Sequence, residues 1–395
     1  MRVLLLNNVP APYFDPLFER LGRDSGWKLT VCYSSAWNQD VGWKERALAQ
    51  DNGYRTIILD RQKPWLKARF GSPMAAAAAL VGILQRERPD YLLIYGYTLL
   101  PQMIALAWAM ATATLYAVAG DANYYTDTAD GLKRIVKSLW LRRVARQSAA
   151  LISVGTANRL FWSAYGARPE QLFDARFAVD NDYFAQASAA CKDKAVDWRR
   201  RFGLVGRVVF LFVGRLVKRK NIDLIISAAR QLKDERIAVV IAGSGEERES
   251  LEALAAGDPR VIFAGNVAQA ELPLFYALAD VLVLPASQEP WGLVVNEAMA
   301  CGLAIIAHGH CGAAIDLAGT DNGAVLDSFS ADELAQAMRR IACDDALRHS
   351  MQQRSREKIR DWSIQAAALG IIHAVETSAQ KRSAGFARSV FQKEK

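Results

Sequence analysis

The chain has 395 residues, 52% of them hydrophobic and 23% charged, which excludes a disordered protein and exceeds what one compact core usually holds, so two domains are expected. A net charge of +8 favours anionic partners: nucleotide diphosphates, phospholipid head groups or nucleic acid. The five cysteines, Cys32, Cys191, Cys301, Cys311 and Cys343, include no C-x-x-C spacing and read as free thiols of a reducing compartment, not as a disulfide framework or a zinc site.

In chain order, the sequence opens Met-Arg-Val-Leu-Leu-Leu-Asn-Asn. Four apolar residues are too few for a signal-peptide core and suit a buried first strand at 3–6. Short β-branched or Leu-rich runs follow at 29–33, 56–59, 91–95, 115–119 and 151–154, with helical patterns between them, one of which contains Ala75–Ala79. Residues 91–120 carry no charge, but Gly96, Pro101, Gln102 and three threonines interrupt them. They divide into strand, helix (101–110) and strand (114–119), whereas a membrane span needs about 20 continuous apolar residues. With neither a signal nor a span, the expected location is the cytoplasm.

After Phe184 the pattern loosens into an Ala-rich and then charged stretch, 185–201. A second strand series begins at 208–213 and continues at 238–242, 261–263, 281–285 and 304–307. Strand and helix alternating throughout imply βαβ units and two doubly wound α/β domains in tandem, 1–185 and 186–361. Ligands of such sheets sit beyond the carboxyl ends of the strands, so the cleft between the domains is the expected site. Residues 361–377 have helical periodicity and precede a basic, serine-containing tail that is expected to fray.

Three segments carry chemistry. The first is Glu289-Pro-Trp-Gly-Leu-Val-Val-Asn-Glu297-Ala-Met-Ala-Cys-Gly302. It follows a strand and leads into a helix starting near Gly292, whose unpaired first-turn N–H groups and dipole suit a diphosphate at Gly292, Leu293 and Val294. Glu289 before that helix and Glu297 inside it are placed to accept hydroxyls of a sugar nucleotide; read alone, each is equally a solvated loop or helix acid. The second is Phe212-Val-Gly-Arg-Leu-Val-Lys-Arg-Lys-Asn221, where Gly214 ends a strand and Arg215 and Lys220 can neutralise a diphosphate, while Lys218 and Arg219 read as an exposed basic loop. The third is Ala242-Gly-Ser-Gly-Glu246, in which Gly243 and Gly245 permit close approach to the backbone, of a ligand or of another turn. It lacks a full G-x-G-x-x-G and an acid placed for a ribose.

This ordered set, with Asn322-Gly323, Val179-Asp-Asn-Asp-Tyr-Phe184 and the opening Asn7-Asn-Val-Pro-Ala-Pro-Tyr13, resembles family 4 retaining glycosyltransferases of the GT-B fold. Within the family it resembles a subgroup acting on bacterial surface polysaccharides. The resemblance is dense from Val208 to Gly323. It implies an α/β fold of two Rossmann-like domains facing a cleft, the first on the acceptor side, the second holding a UDP- or GDP-sugar, and a C-terminal helix, about 362–395, packing back on the first. Arg215 and Lys220 would bind the donor diphosphate, Glu297 the ribose, Glu289 the transferred sugar, and Asn266 and Val267 the base. It implies no cofactor and no metal, although Asp180-Asn-Asp182 spells D-x-D, and a glycan or lipid-linked acceptor. One departure concerns the His that many relatives carry after a central N-terminal strand. Here the histidines are His308, His310, His349 and His373, and Asp121 follows the strand at 115–119, either in that role or as a turn residue. The mechanism implied is front-face substitution, with charge growing on the leaving phosphate.

The segment from Lys133 to Arg146 has six cations and no acid, interspersed with Ile135, Leu139, Trp140 and Val144. It reads either as a helix lying on an anionic membrane or as one with a core face and a solvated basic face. Rival functions are a sugar-nucleotide epimerase of the same fold, disfavoured by the missing histidine, and an inactive homologue, disfavoured by the presence of both acids and both cations. A nucleic-acid-binding protein is disfavoured because no zinc-finger spacing, RNP pattern or recognition-helix signature occurs.

Overall fold

The computed structural model describes residues 1–36, 53–127, 131–233 and 236–393, with side chains to Lys381. The chain divides into two compact units: residues 1–121, 128–177 and 364–395, and residues 122–127 and 178–363.

The first unit holds a parallel sheet of β1 (Arg2–Asn7), β2 (Lys28–Tyr33), β3 (Arg55–Ile58), β4 (Tyr91–Tyr95), β5 (Leu115–Gly120), β6 (Ala150–Ser153) and β7 (Leu172–Asp174), in the order β3-β2-β1-β4-β5-β6-β7. The uncharged stretch 91–120 resolves into β4, the helix Leu100–Thr112 and β5. Among the described residues no helix is long and apolar enough to cross a membrane. The last helix, Ile364–Lys393, spans the stretch where the resemblance implies a helix at about 362–395 and runs past 377, where periodicity alone ended it. It rests on this sheet: a Cβ at Gly370 would stand 2.4 Å from the Asp174 carbonyl, and Ser378 Oγ lies 2.8 Å from the Tyr91 hydroxyl.

The second unit repeats the plan with β8 (Val208–Val213), β9 (Ile237–Ala242), β10 (Val261–Gly265), β11 (Val281–Leu284), β12 (Ala304–His308) and β13 (Gly323–Leu326), all parallel in the order β10-β9-β8-β11-β12-β13. Every residue of β8, β9, β11 and β12 is buried, as strands covered by helices on both faces must be, which is why they read as unbroken apolar runs. β7 (Leu-Phe-Asp) and β13 (Gly-Ala-Val-Leu) escape that reading because they are short and hold at most one β-branched residue each. Asn322 and Gly323 are structural: the Asn322 amide donates to Leu317 O (3.0 Å), and a Cβ at Gly323 would stand 1.7 Å from Ile305 O.

The loose stretch after Phe184 is two helices, Asn181–Ala190 and Lys192–Arg201. Asp180 caps the first, accepting from Tyr183 N at 2.9 Å, so the D-x-D begins with a capping residue. Asn181 donates to Ile359 O and Trp362 O, and Phe184 packs edge-on against Tyr276. These contacts assign the helix to the second unit, whose run therefore starts at 178 where the sequence suggested 186.

Candidate functional site

In an open parallel sheet the strand order reverses at one point, and the loops leaving the carboxyl ends of the two strands there flank a crevice. In the second unit that point lies between β8 and β11. The loop after β8 carries Gly214, Arg215 and Lys220; the loop after β11 carries Glu289 and leads into the helix Leu293–Ala300.

The two loops are bound together. Lys220 Nζ donates to the Glu289 carboxylate, and both side chains are largely buried. Ser287 N donates to Arg219 O (2.9 Å), Arg219 Nη1 to Gln288 O (2.7 Å) and Asn221 Nδ2 to Pro285 O (3.0 Å). Arg219 is exposed as expected, but its guanidinium ties one loop to the other, so it is more than a solvated cation. Arg215 is exposed, and its guanidinium has no hydrogen-bond or ion-pair partner among the described residues.

Gly292 caps the helix Leu293–Ala300 in a left-handed conformation, φ 96°. A Cβ there would meet Cys311 Sγ at 2.9 Å and Glu289 Cγ at 3.1 Å, so glycine is required for the turn to close against the Glu289 loop. The N–H groups of the first turn, from Gly292, Leu293 and Val294, open beside Glu289 with the positive end of the helix dipole behind them.

Gly243 and Gly245 answer to backbone. A Cβ at Gly243 would stand 1.8 Å from Gly214 O, and one at Gly245 2.2 Å from Leu216 O. Gly214 N donates to Ala242 O, Leu216 N to Ser244 O and Gly243 N to Gly265 O, stitching the loops after β8, β9 and β10. What demands glycine is therefore the neighbouring turn, not ligand approach. Asn266 is exposed and Val267 half-buried just past β10, on the same edge of the sheet.

Glu297 lies within its helix and is 7% exposed. The buried Tyr276 hydroxyl donates to it at 2.5 Å. Burial pushes the Glu297 carboxyl up to about 7, against the smaller lowering by the Tyr276 bond. Nothing in the sequence marks Tyr276, because it lies on a separate helix 21 residues earlier. Asn123 is also missed. It belongs to the short segment 122–127 of this unit, and its amide reaches the carbonyls of Glu289, Pro290 and His310.

Asp121 stands in the first unit, exposed at the end of β5. Burial raises the Tyr13 hydroxyl pKa and the Asp121 charge raises it further, which places Asp121 close to the first loop of that unit.

Residues 197–358 match the family model described as glycosyl transferases group 1. The D-inositol 3-phosphate glycosyltransferase of Corynebacterium aurimucosum is 31% identical over 245 residues, 58% of this chain and 58% of that protein. The GDP-mannose-dependent alpha-(1-6)-phosphatidylinositol monomannoside mannosyltransferase of Mycolicibacterium smegmatis is 31% identical over 220 residues, 52% of this chain and 56% of that protein. The chain thus spans little more than half the length of these curated relatives. Among solved structures, the Anabaena protein HepE in complex with UDP superposes with a TM-score of 0.72 over 95% of this chain and 100% of its own, at 15% identity, a likeness of fold. The two doubly wound units are those of the GT-B fold, and residues 197–358 are similar to the group 1 glycosyl transferases.

Proposed function

We propose that the chain transfers a sugar from a nucleoside-diphosphate sugar to a hydroxyl of a glycan or lipid-linked acceptor, with retention of configuration and without a metal, in the synthesis of a cell-surface polysaccharide or glycolipid. One observation carries this reading: a buried lysine and a carboxylate meet beside a helix N-terminus at the strand-order switch of the second sheet. The curated relatives include a GDP-mannose-dependent enzyme, and HepE is seen in complex with UDP, which supports a UDP- or GDP-sugar as the donor.

In this reading the second unit takes the donor. Lys220, Arg215 and the first-turn N–H groups of Gly292, Leu293 and Val294 stabilise charge on the departing phosphate as the anomeric C–O bond breaks. The acceptor oxygen attacks from the same face, and its proton passes to the departing phosphate oxygen. Glu289 holds a hydroxyl of the transferred sugar, Glu297 the ribose, and Asn266 and Val267 border the base. The first unit takes the acceptor, with Asp121 accepting one of its hydroxyls.

A membrane surface on the cytoplasmic side is the proposed setting. The helix Gly131–Gln147 buries Leu141, Val144 and Ala145 near its end, while Leu132, Ile135, Val136 and Leu139 project into solvent at helical spacing. Exposed Lys133, Arg134, Arg142, Arg143 and Arg146 accompany them, and Leu139 and the last three arginines line a cavity of about 370 Å³. Exposed apolar side chains edged by cations fit a layer of anionic lipid.

The test is incubation of the purified chain with UDP- and GDP-sugars and a lipid-linked or glycan acceptor, followed by NMR of the product's anomeric proton. Acceptor-dependent release of nucleoside diphosphate, insensitive to EDTA, with the donor's anomeric configuration kept, is the expected result. Inversion, or activity lost with the chelator and restored by a divalent ion, would refute the corresponding part.

A further inference from the structure

The loop that carries Glu289 has a further tether besides its bonds to the loop after β8. Asn123 is 3% exposed, and its Nδ2 lies 3.2 Å from Glu289 O, 3.2 Å from Pro290 O and 3.1 Å from His310 O. Its Oδ1 accepts from Tyr125 N at 2.8 Å, which folds the short segment around the same side chain. The amide thus spends its N–H groups on carbonyls of two loops, those after β11 and β12, and its oxygen on its own turn. The two loops also meet directly: Gly312 N donates to Glu289 O (3.2 Å), Ala313 N to Trp291 O (2.9 Å) and Cys311 Sγ to Trp291 O (2.9 Å). The Tyr125 ring stacks on His310, with centroids 5.9 Å apart and planes 15° from parallel. Three carbonyl oxygens converging on one buried point repel each other unless a donor sits between them, and an amide nitrogen supplies that donor without a charge.

We infer that Asn123 is a positioning residue: it holds the backbone at Glu289 and Pro290 in register with β12, and thereby sets where the Glu289 carboxylate stands relative to Lys220 and the helix start. The inference rests on the proposed donor site, in which Glu289 recognises the transferred sugar. Its consequence is selective. Binding of a nucleoside diphosphate draws on Lys220, Arg215 and the helix N-terminus, none of which Asn123 touches. Discrimination among sugars, and the rate of transfer, draw on Glu289, whose main chain Asn123 grips. A shift of about 1 Å at such a group costs about 100-fold in rate.

The experiment compares the full chain with Asn123→Ala and the isosteric Asn123→Asp. The aspartate would place a carboxylate against three carbonyls, so it is expected to be the worse substitution although it conserves volume. Both variants should lose about 10- to 100-fold in kcat. They should bind UDP or GDP within about twofold of the parent and discriminate less between donors that differ only in the sugar. Hydrogen exchange over residues 286–292 reads the same positioning without turnover and should be faster in Asn123→Asp. Unchanged kcat and unchanged exchange in Asn123→Asp would overturn the inference, as would losses of kcat, nucleotide binding and melting temperature in step. If the parent transfers no sugar from any donor, the proposed function fails, while the exchange measurement still decides the role of Asn123.

Discussion

Lys220 and Glu289, 69 residues apart in the chain, meet as a buried ion pair across the strand-order switch of the second sheet. Each is the other's main compensation for leaving water, so removing one leaves an isolated buried charge. Lys220→Ala should lower kcat/KM by about 100- to 1,000-fold, the range seen when one preorganised charge-stabilising donor is removed. Glu289→Gln keeps the shape and should lower it less, and the double substitution should fall short of the product of the two losses because they share one interaction. Steady-state transfer kinetics on the four proteins complete the cycle; strictly multiplicative losses would mean that the pair does not act as a unit.

Glu297 gives the protein a pH dependence near neutrality. Its carboxyl is raised from 4.5 to about 7 in the folded chain, chiefly by burial. Between those values the folded state holds a proton that the unfolded state has released, so this group's contribution is complete below about pH 4.5 and is lost as pH rises through about 7. Glu297→Gln should therefore lose less stability than the parent as pH rises across that window, as read by urea unfolding. Tyr276→Phe removes the bond that holds this pKa down and should move the midpoint upward. Parallel pH–stability curves for parent and Glu297→Gln would contradict the assignment.

The turn glycines make a prediction about folding alone. Gly243 has φ 154° and no space for a Cβ beside Gly214 O, so Gly243→Ala should destabilise the second unit by about 2–3 kcal/mol. Gly82 lies exposed inside the helix Ser72–Glu87 with nothing within 4 Å of its Cβ position, so Gly82→Ala should stabilise by about 0.5–1 kcal/mol. Thermal and urea unfolding of the two variants should move in opposite directions.

The proposed membrane attachment through the helix Gly131–Gln147 has separable parts. Apolar insertion is tested by Ile135→Glu with Leu139→Glu, two side chains that are 58% and 66% exposed and therefore add little to the folded core. The pair should abolish flotation with vesicles containing phosphatidylserine while leaving the melting temperature unchanged. Arg142→Glu with Arg143→Glu should weaken binding most at low salt, because surface attraction is screened over about 8 Å at physiological ionic strength. Equal flotation of all variants would exclude this helix as the contact.

Much of the fold was legible along the chain. The interior strands announce themselves as apolar runs because both of their faces are covered, and Gly214 and Gly292 mark a strand end and a helix start by local chemistry. The edge strands Leu172–Asp174 and Gly323–Leu326 were not legible, since Leu-Phe-Asp and Gly-Ala-Val-Leu hold at most one β-branched residue each, unlike the equally short Arg-Thr-Ile-Ile of β3. Local chemistry also pointed to Arg215 and Lys220, while Glu289 and Glu297, ambiguous when read alone, were set apart by the family resemblance. Neither said that Lys220 pairs with Glu289, that Tyr276 donates to Glu297, that Gly243 yields to a carbonyl of a neighbouring turn, or that Asn123 clamps two loops far along the chain. Hydrophobic periodicity and turn preference act between residues close in sequence, so the chain alone settled the elements and the class of chemistry they suit. Hydrogen bonds and ion pairs act over about 3 Å in space, and only the strand order, which brings the loops after β8, β11 and β12 side by side, decided which polar groups meet.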